Sequence, residues 1–417
     1  MVLTYLVGSM PTVITLLAFA SILGLIWCLH VKTFLTRKSL DDDAIKTIQG
    51  LTKNHVVAVR FAELFATDGA GSWPPKANHA TAWPSALEPY RDIYHELSPL
   101  LSQKTSSLDD QVNRARIVDF RRKYEDLLRD KVDLEKVRKL FDAAAKGQWD
   151  TFPRDVYNAF YCCIASSRHA YRWSIVPVVK VAQLEKTIPL PNELEMPWLW
   201  LQEHFGCSSP SGNITSNLLL NFDLTGRYVY RINTGVSQVV TSAEDAFARI
   251  FYQVEMLAVA IYRDMVLAIV AFEQGDKVAC ASHVSAMADQ LRIVLRTYYD
   301  NMHDQKIPLS VWMSHIQGFY AWSAGHLDAE SNEWVIFDGL SGNQVLLFQV
   351  LDAFLGLQPY LPARDRDRNI PARQRVLCKA IERHSFRGRL DTAEFEIAEH
   401  FNSIARQLRV GNVLALR

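Results

Sequence analysis

The sequence lacks an excess of charge of either sign. Its 417 residues carry 45 Lys and Arg against 45 Asp and Glu, so the formal net charge at pH 7 is zero. A chain without net positive charge has no general attraction for nucleic acid or for an anionic membrane surface. We therefore expect no nucleic-acid partner.

Cysteine is scarce and its spacing shows no pattern. The six Cys residues, at positions 28, 162, 163, 207, 280 and 378, form no C-x-x-C pair. This excludes the usual zinc-finger and disulfide frameworks and fits a reducing compartment. Tandem repeats and low-complexity tracts are also missing. The 49% of hydrophobic residues can build a sizeable core, in one large domain or two smaller ones.

Charged side chains are absent from residues 1–29. Within this region Thr12–Leu29 is a largely apolar run of about the length that spans a bilayer. Basic residues follow the run and none precedes it, which places the bulk of the chain in the cytosol. A cleaved signal peptide is the alternative, but it would have a basic segment at its start. We expect residues 1–38 to be a single-pass membrane anchor in the endoplasmic reticulum.

Helical periodicity dominates the rest of the chain. Residues 107–148 are densely charged with apolar positions at 3/4 spacing, which predicts one long amphipathic helix with a solvated face. Residues 244–272 are apolar enough for a membrane span, but Glu255, Arg263 and Asp264 near the middle favour a buried helix instead. Residues 188–222, rich in Pro and Gly, are predicted to be an irregular connector before a short element. We expect an all-α fold.

One stretch, Trp334–Gly356, carries the most information. It begins as a short strand, breaks at Asp338-Gly339 and again at Ser341-Gly342, and continues as a buried helix. A loop of this kind at a helix start offers backbone N–H groups and a hydroxyl to an anion. Asp352 lies on the apolar helix, and a buried carboxylate is costly without a partner. We therefore expect an Arg beside it.

The pattern G-x-S-x-x-Q followed by Q-x-x-D-x-x-L-G resembles the indoleamine 2,3-dioxygenase family of haem dioxygenases. The resemblance extends from about Ile188 almost to the C-terminus. Its first part is the family's interdomain segment, which ends at Asn221. It implies an anchor (1–38), a smaller helical domain (39–235) and a larger helical domain that encloses haem b (236–417). It also implies that O₂ is inserted across the C2–C3 bond of an indole, such as tryptophan or a derivative, to give an N-formylkynurenine-type product.

The same resemblance assigns roles to individual residues. The loop residues Gly339, Ser341 and Gln344 would lie beside a haem propionate and the substrate. Phe247 and Phe251, one helical turn apart, would form the wall facing bound oxygen, where the family often has a small hydroxyl residue in place of Phe251. The pocket Phe and the Arg that grips the substrate carboxylate fall on Val311 and Ile316, so the usual clamp is missing. Asp352 and Arg387 would support the site.

The C-terminal segment, which in the family carries the axial haem ligand, departs furthest from the family pattern. Phe401, Asn402 and Leu408 match the helix that carries the axial His, but the His position itself falls on Ala415. The family's Arg three residues earlier falls on Asn412, which makes Arg409 the nearest partner for Asp352. His400 is the fallback metal ligand, although a solvated helix His is the more ordinary interpretation. The final GNVLALR looks unlike the family's continuation, as a retained intron or a shifted frame would.

Two other function classes stay open at this stage. The chain could be a haem-free or inactive, membrane-anchored scaffold descended from the same fold. It could also be a membrane-tethered interaction protein that uses residues 107–148 as its interface. Haem spectra separate the first alternative from the enzyme, and a pull-down that depends on residues 107–148 would support the second.

The anchor yields a first prediction. Deleting residues 1–38 should release the protein into the soluble fraction with its fold intact, because the only uncharged run of spanning length is then gone. The measurement is fractionation followed by a carbonate wash. A truncated protein that still sediments with membranes would show that the anchor assignment is wrong.

Overall fold

The computed structural model describes residues 41–415, apart from 68–72, 81, 104–105, 328–331 and 333. The anchor expected in residues 1–38 lies outside the described residues. Within the described part, no helix has both the length and the apolar character needed to cross a membrane.

The described chain is mostly helical, as the sequence predicts. Its longer helices are α1 (41–50), α2 (Val56–Ala62), α3 (Glu88–Ser102), α4 (Asp110–Lys131), α5 (Leu134–Ala145), α6 (Arg154–Trp173), α7 (Asn192–Phe205), α8 (Gln238–Glu273), α9 (Lys277–Asn301), α10 (Leu346–Leu355), α11 (Ala363–Asn369), α12 (Ala372–His384) and α13 (Phe395–Ala415). The strands β1 (Ala321–Leu327) and β2 (Trp334–Gly339) pair antiparallel, with Ala324 opposite Phe337.

Two helices organise the packing. Every residue of α6 from Val156 to Trp173 is buried, so α6 is surrounded by other elements on all sides. The 36-residue α8 packs along α9, and α13 packs on the other side of α9. Buried apolar residues from Ile48 to Ile404 form one continuous cluster. The buried helix predicted over residues 244–272 is confirmed, with bounds a few residues wider.

Three sequence predictions about local structure are wrong. The single helix expected over 107–148 is two helices, because Val132 is extended and Asp133 caps α5 by accepting hydrogen bonds from the N–H groups of Glu135 and Lys136. The connector expected over 188–222 contains α7, in which Leu194, Trp198 and the other buried residues recur at helical spacing. The third concerns the Arg-rich residues 360–377, which resemble the family's basic loop and are expected to be a loop, but which contain α11 and the start of α12.

Proline explains the second of these errors. Pro191 stands immediately before the first residue of α7, as Pro362 and Pro371 do before α11 and α12. Near that position the missing N–H of proline removes no intrahelical hydrogen bond, so proline is compatible with a helix start. Pro197 lies inside α7, so even an internal proline does not show that helical structure is absent.

A buried carboxylate connects three distant parts of the chain. Glu255 of α8 is fully buried and accepts hydrogen bonds from Trp73 Nε1 at 2.6 Å, Tyr262 Oη at 2.8 Å and the N–H of Leu347 at 3.0 Å. Burial raises the pKa of Glu255, and these hydrogen bonds act against the rise. The carboxylate thereby holds the segment of Trp73 and the start of α10 against α8.

Replacing Glu255 should be strongly destabilising. In Glu255→Ala three buried donors lose their acceptor, and each such loss costs about 1–3 kcal/mol, so we expect a loss of about 3 kcal/mol or more in the free energy of unfolding. Urea denaturation measures it. Glu255→Gln keeps one acceptor oxygen and should lose less, and the exposed Glu396→Ala is the matched control. A loss below about 1 kcal/mol in Glu255→Ala would contradict this role.

Candidate functional site

The loop Gly339–Gln344 leads from β2 towards α10, and its conformation depends on glycine. Gly339 has a φ of +104°, and a Cβ atom there would lie 2.3 Å from the carbonyl oxygen of Tyr320. No other residue fits this position without moving the backbone. The Ser341 hydroxyl accepts a hydrogen bond from the N–H of Asn343 at 3.3 Å and caps the short turn that follows.

Gln344 points into the protein. Its side chain is almost fully buried, and its Oε1 accepts a hydrogen bond from the N–H of Ile214 at 2.9 Å. Ile214 begins a short helix, Ile214–Asn217, just before Asn221. Gln344 therefore ties the loop to this helix. Of the three loop residues singled out from the sequence, it is the one whose side chain bonds to a distant segment of the chain, whereas the Ser341 hydroxyl bonds within the loop.

The two Phe residues of α8 meet this loop. Their rings lie edge to face with centroids 5.2 Å apart, and a Cβ atom built on Gly342 would lie 3.3 Å from the Phe251 ring. Phe247 also contacts Trp312, with centroids 4.6 Å apart. The structure thus brings together the loop and the two Phe residues, which lie about ninety residues apart in the sequence. The resemblance places both beside the same cofactor.

Two further rings extend this surface. Tyr298 of α9 lies 6.4 Å from Phe251 and 6.5 Å from Phe348 of α10, measured between ring centroids. We call Phe247, Phe251, Tyr298, Trp312 and Phe348 the aromatic wall. Phe251 is buried and the other four are half-buried, so the wall keeps part of its ring surface uncovered by the described residues. Flat apolar surfaces of this kind suit a planar ligand.

Sequence reasoning missed Tyr298 and Trp312. Tyr298 continues the buried stripe of α9 formed by Leu291, Val294 and Leu295, so its position could have been derived from 3/4 spacing. Trp312 carried no comparable signal, because it lies in the wide helical turn Trp312–Ile316 that follows the three-residue helix Leu309–Val311.

The structure offers no carboxylate clamp at the expected place. Ile316 is fully buried and Val311 is half-buried, and both side chains are aliphatic. The neighbouring His315 bonds through Nδ1 to the Ser314 hydroxyl at 2.6 Å, and burial lowers its pKa. A neutral imidazole already engaged in this way is a poor substitute for a guanidinium.

The expected partner of Asp352 is not an Arg. Arg409 is exposed, and none of the groups that shift the Asp352 pKa is a cation. Burial raises the pKa of Asp352 to about 6, and a hydrogen bond from the backbone N–H of Tyr360 acts in the opposite direction. The partner prediction failed because the Tyr360 backbone, which follows the helix, satisfies the carboxylate locally. Arg387 donates from Nη1 to the Leu355 carbonyl oxygen at 3.1 Å, at the C-terminal end of α10.

Phe401, Asn402 and Leu408, which the resemblance places on one helix, lie in α13. In α13 the buried residues Ile397, Phe401 and Ile404 share one face, and Phe401 stacks on Phe354 with centroids 4.9 Å apart. His400 is half-buried on the flank of that face. The helix extends to Ala415, whose methyl group has no atom that can ligate iron. Position 415 therefore does not supply the imidazole that the resemblance implies.

A cavity of about 160 Å³ lies elsewhere, between α10, α11 and α12. It is smaller than the 300–1,000 Å³ of typical small-molecule sites, and charged residues such as Arg366, Lys379 and Glu382 line it. Neither its size nor its polarity suits a porphyrin. We do not assign the expected haem pocket to it.

No family model matches this chain, and no curated protein matches it either.

Asp352 yields a prediction about pH. Its carboxyl is held at a pKa of about 6 against an ordinary 3.8, so the folded chain keeps a proton that the unfolded chain has released. This contribution to stability is fully present below about pH 4 and is lost as the pH rises through 6. Asp352→Asn should therefore stabilise the protein at pH 7 by about 1–3 kcal/mol, and by much less at pH 4.

Urea denaturation at pH 4, 5, 6 and 7 measures the difference between the two proteins. The exposed Asp130→Asn is the matched control and should show no such trend. If Asp352→Asn is instead destabilising by about 3–5 kcal/mol at pH 7, the carboxylate has an ionic partner after all.

Proposed function

We propose that this protein is a haem dioxygenase of the indoleamine 2,3-dioxygenase type, acting on the C2–C3 bond of an indole. The observation that carries the proposal is the contact between Gly342 and Phe251. It brings the loop Gly339–Gln344 next to Phe247 and Phe251, and the resemblance to the family rests on both segments. Composition alone gives no reason for these segments to meet. The same proposal includes two domains (39–235 and 236–417) and a membrane anchor in the endoplasmic reticulum, with the bulk of the chain in the cytosol.

The chain's own residues would bind and orient flat rings. The aromatic wall excludes water from one side of the site and holds planar groups by stacking and edge contacts. Haem b, when bound, supplies the activation of O₂, while the protein supplies position and an apolar surround. Since aliphatic Val311 and Ile316 replace the pocket Phe and the clamp Arg, we propose an indole whose recognition does not depend on a carboxylate.

A second candidate is favoured by one specific observation. The iron of a haem dioxygenase needs an axial ligand, and Ala415 stands where the resemblance places the imidazole. A haem-free, membrane-anchored scaffold that keeps the fold and has lost the chemistry is consistent with this residue. The two candidates differ in whether the chain as written holds iron.

Haem binding is therefore the deciding measurement. We expect the 417-residue protein to bind haem weakly and to show little indole cleavage, because no imidazole is supplied from position 415. Ala415→His should bind haem with one-to-one stoichiometry and give the spectrum of a His-ligated iron. Titration of haem into purified protein, followed by absorption spectroscopy, measures both.

Arg406→His is the matched control, since it adds an imidazole to the exposed face of the same helix. If Ala415→His binds haem no better than Arg406→His, α13 is not a proximal helix and the proposal fails. If the chain as written already gives a clear His-ligated spectrum, the ligand lies elsewhere, and His400→Ala tests the fallback.

A further inference from the structure

Three side chains with metal-ligating atoms converge at the ends of three helices. His55 immediately precedes α2, Glu273 is the last residue of α8, and His384 is the last residue of α12. His55 Nε2 lies 3.1 Å from Glu273 Oε2, and His384 Nδ1 lies 2.7 Å from Glu273 Oε1. One ligand atom of each residue lies within 4.8 Å of the other two.

One of these atoms, His55 Nε2, is buried without a well-aligned hydrogen bond. His55 is only 8% exposed, and its Nε2 lies 3.1 Å from Glu273 Oε2, within ion-pair distance but outside hydrogen-bond geometry. Buried polar atoms in folded proteins nearly always have a well-aligned partner, and a metal ion in the His-Glu-His cluster would supply one to Nε2. The imidazole rings of His55 and His384 meet edge to face, with centroids 4.5 Å apart.

We propose that His55, Glu273 and His384 bind a divalent transition metal of the zinc class. Two imidazole nitrogens and one carboxylate oxygen are a common protein ligand set for Zn²⁺, and a water completes four-coordination. The water has a place to enter, because the side chains of Glu273 and His384 are about one third exposed. Glu273 also supplies a negative charge to offset the charge of the metal.

Metal binding requires a change at one other atom. His55 Nδ1 accepts a hydrogen bond from the N–H of Val57 at 3.1 Å and caps α2. A neutral imidazole that binds metal through Nε2 carries its proton on Nδ1, so this cap is given up when the metal enters. The N–H of Val57 belongs to the first turn of α2, where water can replace the lost partner. One helix cap is a small loss compared with three metal–ligand bonds.

The proposed role of the metal is to hold α2 in place. α2 packs against α12, and the metal would bind the residue before α2 to the ends of both α8 and α12. It would thereby fix the start of the described chain to the helix that carries Phe247 and Phe251. This site is independent of the proposed dioxygenase function, because none of its three residues belongs to the aromatic wall or its loop.

Zinc titration of the full chain tests the proposal. Protein purified in detergent is stripped with a chelator and then titrated with Zn²⁺ by calorimetry, and in parallel with Co²⁺ to record the visible bands of a tetrahedral site. We expect one Zn²⁺ per chain and a melting temperature raised by about 3 °C at saturating metal. His384→Gln and Glu273→Gln should each weaken binding by at least about 100-fold.

Two controls keep the test decisive. His303→Gln removes an exposed imidazole from another part of the chain and should leave zinc binding unchanged. The melting temperature of each metal-free variant shows whether the protein is folded, and His384 is chosen because its partial exposure makes its loss easier to tolerate. The proposal is overturned if the folded wild-type chain binds no zinc, or if His384→Gln and Glu273→Gln bind it as tightly as the wild type.

Discussion

The fold depends on a buried carboxylate that is held by hydrogen bonds and forms no ion pair within the described part of the chain. Glu255 stands near the middle of a 36-residue apolar helix and gathers hydrogen bonds from an indole, a phenol and a backbone N–H. A charge placed there without donors would be too costly to bury. With these three donors the carboxylate can be buried, and its bond to the N–H of Leu347 determines where the start of α10 lies. The loop before α10, and hence the approach of Gly342 to Phe251, follows from that position.

The sequence predicted well those features that are local or periodic. The strand, turn and helix of residues 334–356 and the buried helix over residues 244–272 follow from spacing and turn chemistry. The family resemblance places the loop and the aromatic pair around one cofactor, but no local pattern predicts that segments so far apart lie together. Proline misled the interpretation of residues 188–222, since the same residue can start a helix or interrupt one.

Partners across the core were the least predictable feature. The expectation for Asp352 rested on a sound argument, that a buried carboxylate needs compensation, but the sequence does not say which form the compensation takes. Here it combines a shifted pKa with a hydrogen bond from the backbone of Tyr360. Gln344 shows the opposite case, because a residue expected to face a ligand is used to hold Ile214. Both outcomes depend on how segments pack, which spacing along one helix does not determine.

The length of α8 has a mechanical consequence. Phe251 and Glu273 are separated by 22 residues of continuous helix, which at 1.5 Å per residue is about 33 Å. The screening length of physiological salt is about 8 Å, so the electric field of a charge at one end is negligible at the other. A displacement is transmitted differently, because the backbone hydrogen bonds of a continuous helix make it stiff along its axis. Whatever shifts the Glu273 end therefore reaches the aromatic rings as a small rotation or translation of their backbone, and not as a change in potential.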